Sequence, residues 1–402
     1  MKILIVCEHF FPQTGAQALQ ATKVADALHL AGCEVRVLCG VAQEASSDRP
    51  YDVQWVPPRD YGKATSSMGR ALRRLRYEID TVNTRGGWVR GMAAKVIEIN
   101  RSFEADVIMT QSTPFRAHLV GLHLPPGLRK RWACYFSDLW PLSLTPRPYR
   151  TRLSDLLRPI QMKLLTQVMS TACRSIFTND VSVLRLLQAW PQGDRARCHV
   201  VAHIGTPPSA GEPPSAIRAH YKKRFVHVGK LTRERSCMAL IEAVTRLCND
   251  SEAGELSFPG LSFVGGVDPA FRRNCDELVK KGVVEFVGDV DPAAARAICQ
   301  AAGTLVVIEA DMDESPFLAS KFADYAMLDK PILAISPRGP IRDFLECDGG
   351  GVAVGHDADE IYAAMRSIIV QGDVCGGSRA LAAHFDAMRI AGHYLDIFRL
   401  VK

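Results

Sequence analysis

The stretch VGKLTRERS, residues 228–236, places Gly229 at the end of an apolar run, Lys230 directly after it, and Arg235 five residues further on. Two cations beside the unpaired amides and positive dipole end of a helix start would build an anion site, most naturally for a diphosphate. The same charges also suit a solvated loop. A second stretch, ESPFLASKFADYAMLDKPILAI, residues 314–335, opens as an acidic, Pro-containing loop and passes into a helical segment expected to start between Phe317 and Ser320. First-turn amides across Phe317, Leu318 and Ser320 could hold phosphate oxygens, with Lys321 adding charge. By helical spacing Asp324 shares a face with Ser320 and Lys321, and a carboxylate accepts two hydrogen bonds from vicinal hydroxyls such as those of a ribose. The alternative is an intrahelical Lys321–Asp324 pair worth roughly 0.2–0.5 kcal/mol.

Three candidates lie in the first half. FFPQTGAQ carries one glycine, Gly15, between a strand-like run and a helix-like one. It does not match Gly-x-Gly-x-x-Gly, which disfavours a dinucleotide site. In FSDLWP, Asp138 and Trp140 follow a strand, where an acid beside an aromatic ring suits a sugar. A capping Asp and a core Trp would read the same way. His118, in STPFRAHLVGL, could be a base or a structural histidine. There is no nucleophile elbow, Walker loop or His-Glu-x-x-His motif.

Positioning these residues requires strands that end where the loops begin. KILIVCEHFFP, a strand leaving into a loop, EVRVLCG, ADVIMTQSTPF with a polar loop at its C-terminal end, RWACYFSDLWP, RSIFTND and HVVAHIG read as six strands, with a periodic helix from Gly15 to a stop at Gly32 between the first two. Residues 206–215, rich in Pro, Gly and Ser, form a linker candidate. The pattern then restarts with RFVHVGKL, LSFVGGV, VVEFVGDV, GTLVVIEA, KPILAIS and GVAVGH as strands. PAFRRNCDELVKKG reads as one of the intervening helices. Strand–helix–strand alternation predicts an α/β protein of two Rossmann-like, doubly wound parallel-sheet domains facing across a cleft lined by the carboxyl ends of the strands. The expected division is residues 1–205, a linker 206–220, a second domain 221–380, and a C-terminal helix, 381–402, returning to the first domain.

The 402 residues are too many for one ordinary core, and 47% hydrophobic with 23% charged residues matches a globular protein. A net charge of +6 suits anionic small molecules or membrane surfaces without demanding nucleic acid, so no nucleic-acid partner is expected. Twelve cysteines without a Cys-x-x-Cys pair fit reduced, buried thiols of a cytoplasmic protein better than a disulfide framework or zinc site. MKILIVCEHFFP does not read as a signal peptide, and no apolar run reaches the length of a membrane span. Residues 63–95 concentrate Arg70, Arg73, Arg74, Arg76, Arg85, Arg90 and Lys95 around Met68, Leu72, Leu75, Tyr77 and Trp88, and residues 147–165 repeat the theme. Such basic amphipathic stretches suit an anionic membrane surface, or alternatively a solvated helix face.

Taken together, the chain resembles, over nearly its whole length, the retaining glycosyltransferases of the two-Rossmann GT-B fold, group 1 or GT4-like. MKILIVCEHFFPQTGAQ looks like that family's opening strand and first loop, and SDLWP is similar to a form seen among its lipid-linked and surface-polysaccharide transferases. VGKLTRERS matches the Gly-Arg-Leu and downstream Lys that bind the donor diphosphate, with Lys230 for the Arg and Arg235 for the Lys. SKFADYAMLDKPILAI matches the block carrying the second acid of a Glu, seven residues, Glu motif, in which Asp324 takes the second position and Pro316 the first. Glu314 or Asp313 would then have to supply the first acid from the loop.

The resemblance implies transfer from a nucleotide-sugar donor to a glycan or lipid-linked acceptor with retention, and no required cofactor or metal. Lys230 and Arg235 would stabilise the leaving diphosphate, Gly15 would lie near the donor phosphate, and Asp138 near the acceptor or transferred sugar. Gly288 and Asp289, in FVGDV, would lie near the base. It also implies a cytoplasmic protein, peripheral on the inner membrane face and serving cell-surface glycan synthesis. A sugar-nucleotide epimerase of similar shape, or a sugar-nucleotide-binding protein without turnover, are the alternatives.

Overall fold

The computed structural model describes residues 1–40, 49–57, 66–371 and 376–401. Cys375, Lys63 and the side chains of Arg74 and Tyr77 lie outside the described residues. The chain divides into two compact units. The first comprises residues 1–145, 150–202 and 387–402, and the second comprises residues 146–149 and 203–386.

In the first unit, seven strands form one parallel sheet: β1 (Lys2–Cys7), β2 (Glu34–Cys39), β3 (Asp52–Trp55), β4 (Val107–Ser112), β5 (Trp132–Phe136), β6 (Arg174–Phe177) and β7 (Cys198–Val200). Their order is β3-β2-β1-β4-β5-β6-β7, and Ile3 pairs with Val35 on one side and Val107 on the other. Parallel strands covered on both faces are buried along their whole length rather than on alternate residues. β4 and β5 are accordingly buried at every position. Trp132, Phe136, Phe177, Leu165 and Val96 belong to the core around this sheet.

β3 escapes sequence reading for a physical reason. It is a four-residue edge strand whose alternating DVQW needs only one buried neighbour, β2, and Pro57 and Pro58 follow it. β7 likewise keeps only two residues of the longer run HVVAHIG, His199 and Val200, together with Cys198 before them. The C-terminal helix Ala387–Arg399 belongs to the first unit, where its Tyr394 ring lies 6.2 Å from Tyr135 of β5.

The second unit contains β8 (Phe225–Val228), β9 (Leu261–Val264), β10 (Val284–Gly288), β11 (Thr304–Ile308), β12 (Ile332–Ile335) and β13 (Gly351–Val354), parallel in the order β10-β9-β8-β11-β12-β13. This order makes β8 and β11, far apart in sequence, direct neighbours. Phe225, Phe263, Val306, Leu333 and Ile335 share one core. The segment read as one helix, PAFRRNCDELVKKG, is two, Pro269–Asn274 and Asp276–Lys280, interrupted at Cys275, whose side chain is buried in that core.

All described cysteines are free thiols, buried except Cys173 and the exposed Cys347. Among the described residues no helix is long and apolar enough to cross a membrane.

Candidate functional site

In the second unit, three adjacent strands end in glycines with positive φ: Gly229 (+109°) after β8, Gly265 (+116°) after β9 and Gly288 (+82°) closing β10. The Gly229 N–H donates to Val264 O (2.8 Å) and the Gly265 N–H to Gly288 O (2.7 Å). A Cβ on Gly265 would lie 2.8 Å from Gly229 O, so the close approach of the turns, as well as the φ values, demands glycine. Gly265 was not singled out in the sequence, although FVGGV carries the signal.

Three cations gather near this edge. Lys230 follows the turn and is exposed. Arg235 lies in a one-turn 3-10 helix, Arg233–Arg235, rather than at the start of the long helix, which begins at Met238. Its Nε–H donates to Glu309 Oε1 (2.9 Å) and Tyr149 Oη (3.0 Å), and the Tyr149 hydroxyl donates to the same Glu309 oxygen (3.2 Å). Glu309, directly after β11, is 1% exposed, and its Oε2 has no hydrogen-bond partner. Burial opposes the Arg235 charge, but the Glu309 carboxylate and Tyr149 outweigh it, so its pKa is raised.

The third cation, Lys321, is half-buried, in the helix Ser320–Ala326. Its Nζ lies 3.1 Å from His227 Nε2, and a Cβ on Gly229 would be 3.1 Å from the same ammonium. Burial, reinforced by Arg235, lowers its pKa to about 7, against the pull of Glu309 and Cys299. Tyr325, on the same helix, accepts from Val228 N (2.9 Å) and so ties the helix to the end of β8.

The other residues expected at this site are distributed around it. Asp324 Oδ1 accepts from Thr206 N (2.8 Å), a partner remote in the chain. Phe317 meets the Tyr149 ring edge-on at 4.9 Å, Leu318 is buried, and Ser320 is the first residue of its helix. Glu314 is half-buried in the loop, and its backbone forms an isolated parallel β-bridge with that of Arg338. The acid beside the cations is therefore Glu309, five residues before Glu314, which the sequence did not single out. Its signal was an acid closing the apolar run TLVVIE.

In the first unit, Asp138 Oδ2, just beyond β5, accepts from Gln17 Nε2 (2.9 Å) and Thr113 Oγ1 (3.2 Å). Trp140 stacks on Phe115 with centroids 3.5 Å apart and planes within 8°. Gly15 caps the helix Ala16–Leu30 with φ −67°, and a Cβ there would meet nothing within 4 Å. Space, rather than backbone strain, is what that glycine leaves.

His118 is corrected from a candidate base to a core histidine. It is 0% exposed, 4.5 Å from the Phe136 ring, with Nδ1 2.8 Å from Thr110 Oγ1. Burial lowers its pKa to about 3, which holds it neutral. A buried pair was missed nearby: Arg116 grips Glu8 with two hydrogen bonds of 2.6 and 2.5 Å.

Two parallel Rossmann-like sheets in tandem, each with its loops at the strand carboxyl ends, define the GT-B class of fold. No family model and no curated protein matches the sequence. Among solved structures the chain is similar to sucrose-phosphate synthase from Thermosynechococcus elongatus, at 17% identity and TM-score 0.67, covering 99% of this chain and 98% of that one. It is also similar to WaaG, a glycosyltransferase involved in lipopolysaccharide biosynthesis (13%, TM-score 0.58, 100% and 97% covered). A putative UDP-N-acetylglucosamine 2-epimerase from Listeria monocytogenes matches at 12% and TM-score 0.61, with 98% and 94% covered. At these identities the likeness speaks for the fold.

Proposed function

We propose that the protein is a nucleotide-sugar-dependent glycosyltransferase that transfers a sugar with retention to a lipid-linked or polysaccharide acceptor in cell-surface glycan synthesis. The observation that carries the reading is the grouping of Lys230, Arg235 and Lys321 around the Gly229 turn at the carboxyl end of the second sheet. Set against the Glu309 carboxylate, three cations leave a net charge that matches the two anionic phosphates of a nucleotide-sugar diphosphate.

In the proposed reaction the bond between the sugar C1 and the diphosphate oxygen breaks while the acceptor hydroxyl oxygen bonds to C1 on the same face. The hydroxyl proton passes to an oxygen of the departing diphosphate, and that group keeps the electron pair of the broken bond. Lys230, Arg235 and Lys321 stabilise the charge that develops there, which is the form of catalysis that fixed cations supply best. Asp138 is assigned to the acceptor or transferred sugar, and the Asp324 carboxylate to the ribose. Gly15 and Gly288 are assigned to the donor phosphate and base. No metal is required in this scheme because side-chain cations meet the diphosphate charge.

The reading extends to an anionic membrane on the cytoplasmic side. On the helix Ser67–Thr81, Met68, Leu72, Leu75 and Ile79 are exposed at spacings of four, three and four, with Arg70, Arg73 and Arg76 beside them. On the helix Arg152–Thr171, Leu156 is 76% exposed and Ile160 lies four residues on. Trp88 is no part of such a surface, because its Nε1 donates to Val56 O and Arg116 covers its ring.

A thermal-shift screen over UDP-, GDP-, ADP- and dTDP-sugars tests the donor claim, since a ligand of the native state raises the melting temperature. No shift with any of them would refute it. The match to a putative epimerase favours a second reading, in which the sugar is converted with no acceptor present. Donor incubated alone and then analysed for a changed sugar separates the two, and a protein that binds without turnover would do neither.

A further inference from the structure

His227 lies in β8 and is 0% exposed. Its Nδ1 is 3.0 Å from Val306 O on the neighbouring β11, and its Nε2 is 3.1 Å from Lys321 Nζ. A carbonyl oxygen only accepts, so Nδ1 carries the ring proton. An ammonium only donates, so Nε2 presents its lone pair to Lys321. Both ring nitrogens are thereby assigned, and the ring is neutral. Burial, and then the nearby Lys321 charge, lower its pKa well below the usual histidine value.

One of the three Lys321 donors is spent on His227, and the ammonium is held beside Gly229, whose φ of +109° and missing Cβ leave it room. We propose that His227 is a positioning residue that fixes Lys321 at the Gly229 turn, and that a nucleotide-sugar diphosphate binds there together with one proton taken up by Lys321. This rests on the donor-site reading given above.

The groups that bear on Lys321 come from each element around it. They are His227 from β8, Arg235 from the 3-10 turn, Glu309 after β11, and Cys299 from the helix Pro292–Ala301. Arg235 and burial oppose the charge, whereas Glu309 and Cys299 favour it. With the Lys321 pKa lowered to about 7, the free protein is only partly charged there at neutral pH. A diphosphate brings a new anion and raises that pKa, so binding at higher pH must draw a proton from solution.

The test is calorimetry of the wild-type protein with UDP-glucose, GDP-mannose, ADP-glucose and dTDP-glucose, in buffers of different ionisation enthalpy. The diphosphate diesters of these probes do not titrate between pH 6 and 9, so any proton uptake belongs to the protein. At pH 8 the uptake is expected to be roughly 0.9 proton for the probe that binds, and Kd should rise by up to about tenfold per pH unit above 7. Lys321→Met should abolish the uptake and flatten the profile.

His227→Asn keeps a donor for Val306 O but loses the acceptor for Lys321. It should therefore move the midpoint of the profile to lower pH, and His227→Gln, whose amide oxygen can accept, should restore it. Wild-type binding with no proton uptake overturns the proposal while leaving the donor site standing. A midpoint unmoved in both His227 variants removes the positioning role. Binding of none of the four probes removes the donor reading, and this proposal with it.

Discussion

Arg235→Ala disturbs the second unit in two ways that a second substitution can separate. The guanidinium is 24% exposed and faces a Glu309 carboxylate that is 1% exposed. One carboxylate oxygen accepts from Arg235, Tyr149 and the Ala310 amide, while the other has no partner. Deleting the cation leaves a buried charge without its counter-ion, which costs about 3–5 kcal/mol for fully buried pairs. Because the arginine retains some water contact, the low end, about 3 kcal/mol, applies. For a domain of this size that corresponds to a fall of roughly 6–12 °C in melting temperature.

Turnover of the donor should fall in the same variant by about 10²-fold or more, as expected when a cation that meets developing charge is lost. Adding Glu309→Gln removes the stranded charge. The double variant should therefore regain most of the lost melting temperature and none of the turnover. Differential scanning fluorimetry and release of nucleoside diphosphate from the donor measure the two effects independently. If the double variant recovers turnover, Arg235 serves only as partner to Glu309. If Arg235→Ala melts like the wild type, the pair is not the buried electrostatic contact described.

Lys230→Ala should also cut turnover by about 10²-fold, but with a melting temperature within a degree or two of wild type, because the side chain is exposed and supports no core. Near-wild-type rates in both Lys230→Ala and Arg235→Ala would refute the diphosphate assignment. Stability should fall on acidification from pH 7 to 5.5. His118 has its pKa lowered to about 3 and His227 has its pKa lowered further than the usual range, so the unfolded chain, titrating near 6.5, binds protons that the folded chain refuses. The loss is about 1 kcal/mol for each histidine over that interval, read from urea midpoints, and His118→Gln should remove about half of the total. Leu72→Glu with Leu75→Glu should weaken cosedimentation with vesicles containing anionic lipid, and salt should weaken wild-type binding too. Binding indifferent to lipid charge, salt and these substitutions would remove the membrane claim.

Much of the fold was legible because parallel strands are buried on both faces. KILIVC and TLVVI announce themselves without knowledge of their neighbours, whereas the edge strand DVQW does not. Part of the site was legible for a similar reason. Gly229, Lys230 and Arg235 are near one another in sequence, so one turn brings them to one strand end. Lys321 and Asp324 share a helix, but their partners are remote: Lys321 meets His227, 94 residues away, and Asp324 meets Thr206, 118 residues away.

The sequence by itself determined that two parallel α/β units follow one another and that glycines and cations lie where their strands end. Periodicity and turn chemistry are local, and those features depend on nothing else. Only the tertiary structure decided that the acid at the cations is Glu309, 74 residues from Arg235, that Tyr149 joins them from 86 residues away, and that His118 is a core residue. The reason is the strand order, which places β8 against β11 and converts residues distant in the chain into neighbours. Burial, which no local pattern reveals, then sets the charge state of His227 and weakens that of Lys321.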